Sequence, residues 1–291
     1  VDDGSTDETL DVLRAWKETN ETKSFHVRVL HQKNRGAPAA RNLGLIDSTG
    51  AFIQYLDSDD LLHPQKLERH IRAFQEHPNA DHVASPYAHF KPGNEPLRTA
   101  PDAQDVAANV SENPIPIFTS VWKALFRREL CEAIGPWDET LDLWQDVEYN
   151  VRLAALNPNH IEVNIPLYYM RDHDGGVRIK TLKRTQEGIV PMLHALRVLE
   201  KQLASVPDDA VNPTNLLWGR YFQLLHLTLQ HGLPDQVCRA LTGLRRHAQN
   251  RKQQFQVNLI HSAYKIFGGT VTELLLSAYS DFRLRHTARP S

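Results

Sequence analysis

A chain of 291 residues, 41% of them hydrophobic, is long enough to bury a large core and to divide into two domains. Its formal net charge of −2 gives no reason to expect nucleic acid as a partner. Its two cysteines, Cys131 and Cys238, are too few for a disulfide framework or a zinc cage, which fits a reducing compartment, and no apolar run approaches the roughly 18 residues of a membrane span.

In chain order, Val1-Asp2-Asp3-Gly4 reads as the end of a strand whose beginning is absent, so at least one N-terminal strand is expected to be missing. Ser5 with Glu8 spells a capping box, ahead of Leu10, Leu13 and Trp16 at near-helical spacing. Asp2 and Asp3 suit a helix start, where negative charge is favourable, as well as a functional loop. Phe25 to Leu30 alternates and predicts a strand. Gly36 then turns the chain, Pro38 suits a first helical turn, and Ala39, Ala40 and Gly44 allow close packing on a sheet. Arg41, set among these small residues, either meets an anionic ligand or snorkels off the helix.

The stretch from Ala51 to Asp60 organises the rest. A short apolar run ends abruptly in Asp57, Asp59 and Asp60, and ligands of open α/β sheets collect beyond the carboxyl ends of the strands. Carboxylates this close repel one another unless they share a cation, and hard oxygen ligands favour Mg²⁺ or Mn²⁺ over zinc. An EF-hand is excluded, because Leu62 stands where the loop needs glycine and Leu61 where it needs a polar ligand.

A helix is expected over about 64–76 and a strand over 81–85. From Ala88 to about Pro116 a Pro-, Asn-, Asp- and Gly-rich stretch reads as a loop, suited to a lid or to facing an acceptor. Residues 118–126 are apolar enough to be buried, a short helix starts near Arg127, and another helix runs from about Gln145 through Leu156. Asp146, beside Trp144 at its start, is either a general base or a plain helix N-terminal charge. Arg152 reads as a structural ion-pair partner. A last strand is expected from Ile161 to Met170, and His173 beyond it is a third metal ligand or a solvated loop residue. Past Leu182 apolar residues recur at helical spacing, including Met192, Leu196, Leu217, Leu225 and Leu259. The basic runs Arg245-Arg246-His247 and Arg283 to His286 suit a solvated helix face or an anionic membrane surface.

Taken in order, these pieces resemble the family 2 glycosyltransferases of the GT-A fold. Val1-Asp2-Asp3-Gly4-Ser5-Thr6-Asp7 is similar to the family's nucleotide loop. Asn34-Arg35-Gly36 with Ala40-Arg41-Asn42-Leu43-Gly44 resembles its NxG…ARNxG segment, and Asp57-Ser58-Asp59-Asp60 its DxD motif. Leu125 to Arg128 and Gly135 to Glu139 look like its acceptor-side segment, and Gln145-Asp146 falls where the family carries Glu-Asp. The match covers about residues 1–175. It implies an α/β fold, the Rossmann-like GT-A mixed sheet flanked by helices, over 1–180, and an α-helical extension over 181–291.

The same resemblance implies an inverting glycosyltransferase that moves a sugar from a nucleotide-sugar donor, a UDP-sugar by family tendency, to a hydroxyl on a saccharide or lipid-linked acceptor. Asp2 or Asp3 would contact the base, with Arg41 nearby; Asp57 would hold the ribose, and Asp59 with His173 the Mn²⁺ or Mg²⁺. Asp146 would activate the acceptor. Synthesis of a cell-surface glycan places the chain in the cytoplasm, with peripheral contact at the inner face of the plasma membrane. Gln145 and the absent first strand depart from the family pattern, and the rival reading is a non-catalytic nucleotide-sugar binding module or inactive homologue.

Overall fold

The computed structural model describes residues 1–91, 93, 108–110, 121–172, 185–204, 206 and 213–287. The chain forms two compact units, Val1–Gly175 and Gly176–Ser291. The first contains, in order, α1 (Thr9–Asn20), α2 (Ala37–Asp47), β1 (Phe52–Gln54), β2 (Leu61–Leu62), α3 (Lys66–Glu76), β3 (His82–Ala84), β4 (Tyr87–Phe90), β5 (Ala108–Val110), β6 (Leu125–Arg127), α4 (Arg128–Ile134), α5 (Gln145–Ala155), β7 (His160–Val163) and β8 (Tyr168–Arg171).

Two mixed sheets result. The larger runs β1-β6-β3-β7-β5 and the smaller β2-β8-β4, with β3 parallel to β7 and β4 parallel to β8. Two chain segments therefore pass side by side from one sheet into the other, β3 into β4 and β7 into β8. Each crossing carries a proline, Pro86 or Pro166, which has no N–H to give a ladder. The expected single strand from Ile161 to Met170 is accordingly two strands in different sheets. The expected loop from Ala88 to Pro116 begins within β4 and contains β5; its other residues, apart from 91 and 93, lie outside those described.

Alternation along the strands divides the core. Ile53, Ala84 and Phe126 face a cluster with Leu130, Cys131, Ile134, Trp137, Tyr149 and Leu153 from α4, α5 and the turn between them. Their neighbours Phe52, Val83 and Leu125 face Ala73 and Phe74 of α3. Period-two alternation in the strands and helical spacing in α3 and α5 thus meet on the two faces of one sheet.

Two local expectations fail. Ser5 does not cap α1. The residue at the cap is Glu8, which makes no side-chain cap bond, while Asp7 before it accepts from the Thr9 N–H at 3.1 Å and the Thr9 hydroxyl at 2.6 Å. The stretch from Phe25 to Leu30 joins no ladder of its own. Only its end is paired, through a parallel bridge between Asp2 and His31, where the Asp2 N–H reaches Leu30 O at 2.8 Å.

The second unit is helical: α6 (Ile189–Leu203), α7 (Pro213–Gln230), α8 (Pro234–Arg246) and α9 (Arg251–Thr287), the last interrupted at Gly268, whose φ is 74°. Met192, Leu196, Leu217 and Leu225 are buried, as their spacing predicts, and so are Leu241 and Leu244. On α9 Val257 and Thr272 are buried among the described residues, whereas Leu259 is 59% exposed. No described helix is long and apolar enough to cross a membrane.

His82 in β3 is fully buried, with its ring stacked between Phe126 and His160 at 5.5 Å from each. Burial, with a smaller contribution from the His160 charge, pushes its pKa from 6.5 down to about 3. Below pH 6.5 the unfolded chain takes up a proton that the folded chain refuses, so stability falls as pH drops through that window. Denaturant titrations between pH 6.5 and 5 should show a declining unfolding free energy, and a flatter decline in His82→Phe. Equal slopes in the two proteins would remove His82 as the cause.

Candidate functional site

The first loop is tied to the second from both of its acids. Asp2 is buried and turned inward, with Oδ1 accepting from the Ser5 N–H at 3.3 Å and Oδ2 at 2.6 Å from His31 Nδ1. Hydrogen bonds from Ser5 and His31 hold its carboxyl below the ordinary range. Asp3 accepts from Gln32 Nε2 at 2.7 Å and from the N–H groups of Arg35 and Gly36 at 2.9 and 2.8 Å. It thereby fixes the turn that launches α2. Gly4 is required here twice over: its φ is 78°, and a Cβ would lie 2.7 Å from Asn34 N.

Launched by that turn, α2 places Arg41 one helical turn in. Its Nη2 donates to Asp57 Oδ1 at 2.8 Å and its Nη1 to Gln145 Oε1 at 3.4 Å, while its guanidinium lies 4.6 Å from the centre of the Trp137 ring. Arg41 is therefore not a snorkelling surface cation, its side chain being 17% exposed. Arg41, Asp57 and the start of α5 are brought together. Trp137 and Gln145 are the partners that the sequence reading missed. Trp137 was legible only as part of a Gly-Pro-Trp-Asp turn, and no spacing rule pairs it with Arg41.

Asp3, Arg41 and Asp57 all line one cleft of about 570 Å³, together with Val1, Ala37, Gly44 and the backbone stretch from Phe52 to Ser58. Asp2 does not line it. β1 stands at the end of its sheet, so one of its edges faces no described strand.

The three acids after β1 are handled differently. Asp57 pairs with Arg41. Asp60 is tied to β8, accepting from the Tyr168 hydroxyl at 2.7 Å and the Arg171 N–H at 2.8 Å. Burial raises the Asp60 carboxyl above its ordinary value, and the neighbouring Asp59 and Asp57 charges add to the rise. Asp59 is half-buried in the turn between them, its carbonyl accepting from Arg171 Nε at 2.8 Å. Among the described residues no three His, Cys, Asp or Glu side chains converge on a metal position. His173 lies outside those residues. The arrangement fits a cation held by one or two carboxylates and completed by substrate phosphates, rather than a cage built from protein alone.

Asp146 stands in the first turn of α5, half-buried, and makes no hydrogen bond or ion pair with another described residue. Gln145 beside it does both jobs of an amide, donating from Nε2 to Leu141 O at 2.9 Å while accepting from Arg41. A glutamate there would lose the donor. Trp144, which precedes them, is buried and left-handed, with φ 58° and ψ 27°, rare for a bulky residue. Arg152 is structural, as expected: it grips Glu148 at 2.7 and 2.8 Å and donates to Ile134 O at 2.6 Å.

The family model for glycosyl transferase family 2 matches residues 1–135. Residues 1–135 are a family 2 glycosyltransferase domain. Over 187 residues, 60% of this chain and 51% of the relative, the chain is 26% identical to a putative glycosyltransferase EpsH of Bacillus subtilis. A 76-residue stretch, 26% of this chain and 29% of the relative, is 40% identical to a putative teichuronic acid biosynthesis glycosyltransferase, TuaG, of the same organism. An uncharacterized glycosyltransferase of Rickettsia felis is 40% identical over 76 residues, 26% of this chain and 12% of its own. The chain spans about half or less of these curated relatives. Among solved structures, S. aureus TarS 1–349 in complex with UDP-GlcNAc superposes with a TM-score of 0.61 at 15% identity, covering 91% of this chain and 81% of that one. The fold of the family 2 domain is thus the GT-A fold.

Asn42, next to Arg41, couples α2 to the Trp137 turn. It donates to Trp137 O at 3.0 Å and Glu139 Oε1 at 2.9 Å and accepts from the Trp137 N–H at 2.8 Å. Asn42→Ala leaves a buried N–H and carbonyl unmet and should cost about 1–3 kcal/mol of stability in chemical denaturation. A loss within error of zero would show that the turn is held by other contacts.

Proposed function

We propose that this chain transfers a sugar from a nucleotide-diphosphate donor, a UDP-sugar, to a hydroxyl of a saccharide or lipid-linked acceptor in a single displacement that inverts the anomeric centre. The observation that carries the reading is Asp146, a carboxylate without a partner among the described residues, whose neighbour Gln145 is bonded to the Arg41 that grips Asp57. A sugar hydroxyl is a poor nucleophile, and a positioned carboxylate that is not already paired can take its proton. Arg41 offers a planar fork of donors to the negative charge of a diphosphate once that charge competes with Asp57.

In this reading the donor lies in the cleft lined by Asp3, Arg41 and Asp57, and Asp2 acts by holding the loop shape rather than by reaching the cleft. A bound Mn²⁺ or Mg²⁺ supplies charge neutralisation for the departing diphosphate; Asp59 and Asp57 would hold it, with His173 as the further candidate ligand. Residues 1–180 carry the reaction and 181–291 extend it. The naming of TuaG as a putative teichuronic acid biosynthesis glycosyltransferase and the UDP-GlcNAc bound by TarS support a UDP-sugar and a surface polysaccharide. The product's destination puts the reaction in the cytoplasm, at the inner face of the plasma membrane.

Asp146→Asn should lower transfer by about 10²- to 10⁴-fold, the usual worth of general-base assistance, while UDP titrated calorimetrically in the presence of Mn²⁺ binds with unchanged affinity. Equal loss of binding and transfer would remove Asp146 as the base. Binding by the unmutated chain with no turnover of any UDP-sugar would identify a binding module instead.

Arg41→Gln tests the other half of the site. It should weaken UDP binding about tenfold or more, because a charge-assisted fork is replaced by a neutral amide. Unchanged affinity would show that the guanidinium serves only to hold Asp57 in place.

A further inference from the structure

The helical unit holds a second cleft, and its walls are cationic. Leu193, Arg197 and Glu200 of α6, Tyr221 of α7, and Cys238, Arg239, Thr242, Gly243 and Arg246 of α8 enclose about 350 Å³. Three guanidiniums thus face one carboxylate. Glu200 is already committed: its Oε1 accepts from the Tyr221 hydroxyl at 2.9 Å, from Arg246 Nη1 at 3.1 Å and from His247 Nε2 at 3.1 Å. Burial alone would raise its carboxyl, but hydrogen bonds from His247 and Tyr221 and the Arg246 charge hold it below its ordinary value, so it stays ionised and paired.

Arg197 and Arg239 have no hydrogen bond or ion pair with any described residue. Two unspent positive charges therefore remain in a concave site after the one carboxylate has been matched to Arg246. The floor is also built. A Cβ on Gly243 would lie 2.3 Å from the Tyr221 ring, so glycine is what lets that ring lie against α8 and deliver its hydroxyl to Glu200. The ring stacks on His247 as well, at 5.8 Å. The positions of Glu200 and Arg246 are thus fixed by packing, while Arg197 and Arg239 are left to a ligand.

We propose that the cleft between α6, α7 and α8 binds a phosphate ester through Arg197 and Arg239. A forked guanidinium pairs two of its N–H groups with two phosphate oxygens, and two guanidiniums suit a group of one to two negative charges. Thr242 lies at the same wall, but its hydroxyl donates to Cys238 O at 2.8 Å, so the two guanidiniums carry the recognition. Leu193 and the Tyr221 ring give the rest of an organic phosphate an apolar surface to lie against. Such a ligand is either a soluble phosphate or diphosphate ester or the headgroup of a phospholipid.

Cys238 reports on this cleft directly. It is exposed on the rim, whereas Cys131, the other cysteine, is buried in the first unit, so a neutral maleimide reads Cys238 alone. Inorganic pyrophosphate, at fixed ionic strength and about ten times its dissociation constant, should slow labelling of the whole chain about tenfold by simple occupancy. The ratio of the rate without pyrophosphate to the rate with it should fall to near one in R197Q/R239Q and be unchanged in R41Q, which alters only the first unit. R239Q alone should give an intermediate ratio, which guards against a double variant that folds poorly. Slowing by phosphatidylglycerol vesicles but not by pyrophosphate would uphold the proposal and name the headgroup as the source of phosphate. No slowing by either, or equal slowing in R197Q/R239Q, would overturn it.

Discussion

A guanidinium held between an acid, an amide and the face of an indole governs the geometry of the cleft in the first unit. Asp57 and Gln145 fix directions within the plane of the Arg41 side chain, and Trp137 fixes the plane itself. Those three partners come from the turn after β1, the start of α5 and the turn between α4 and α5, elements separated by up to 104 residues along the chain. A lysine could satisfy one of them but not all three, since an ammonium has neither fork nor face. Through this contact α2, launched by the Asp3-braced turn, is brought into register with the acids that follow the strand.

The same contact resolves an electrostatic difficulty. Three carboxylates within four residues oppose one another, and two of them are relieved by different routes. Asp57 is met by a cation and Asp60 by a phenol and a backbone amide, while Asp59 keeps a half-buried place between them. Asp2 and Asp3 divide their work in a comparable way, the first closing its own loop and the second closing the next one. Acids that the family resemblance casts as ligand contacts are thus also structural, and a substitution at any of them changes the loops as well as the chemistry.

Much of this was legible in the sequence, for physical reasons that differ by element. The amphipathic spacing of α3, α5 and α6 to α8 reports burial directly, and the apolar run before Asp57 reports a strand end. The glycine and proline around α2 report its start. The order of motifs from Asp2 to Asp146 carried the fold. What was not legible depended on partners distant in sequence. Nothing in Ile161 to Met170 announces that Pro166 marks a change of sheet, because a lone proline also suits an edge strand. The alternation from Phe25 to Leu30 fits a strand, but a ladder needs a neighbour, and the described neighbour reaches only the end of it. The Ser5 and Glu8 spacing is a local pattern that α1 does not use, the Thr9 N–H being met by Asp7 instead. The Arg41 partners Gln145 and Trp137 lie about a hundred residues away, beyond any local rule.

Trp144 sets a limit on how this protein can be altered. Its backbone conformation belongs to glycine or asparagine, and relief of it by glycine is worth roughly 1–2 kcal/mol. Its indole is buried, and removal of such a ring costs roughly 3–5 kcal/mol. The two demands cannot be met by one replacement, since the residues that suit the backbone leave a void and those that fill the void share the strain. A library screened for thermal stability would therefore retain tryptophan at this position even though it is locally unfavourable. The start of α5 is held in place by bulk where a loop would ordinarily be held by the absence of a side chain, and a redesign of the residues after it inherits that fixed point.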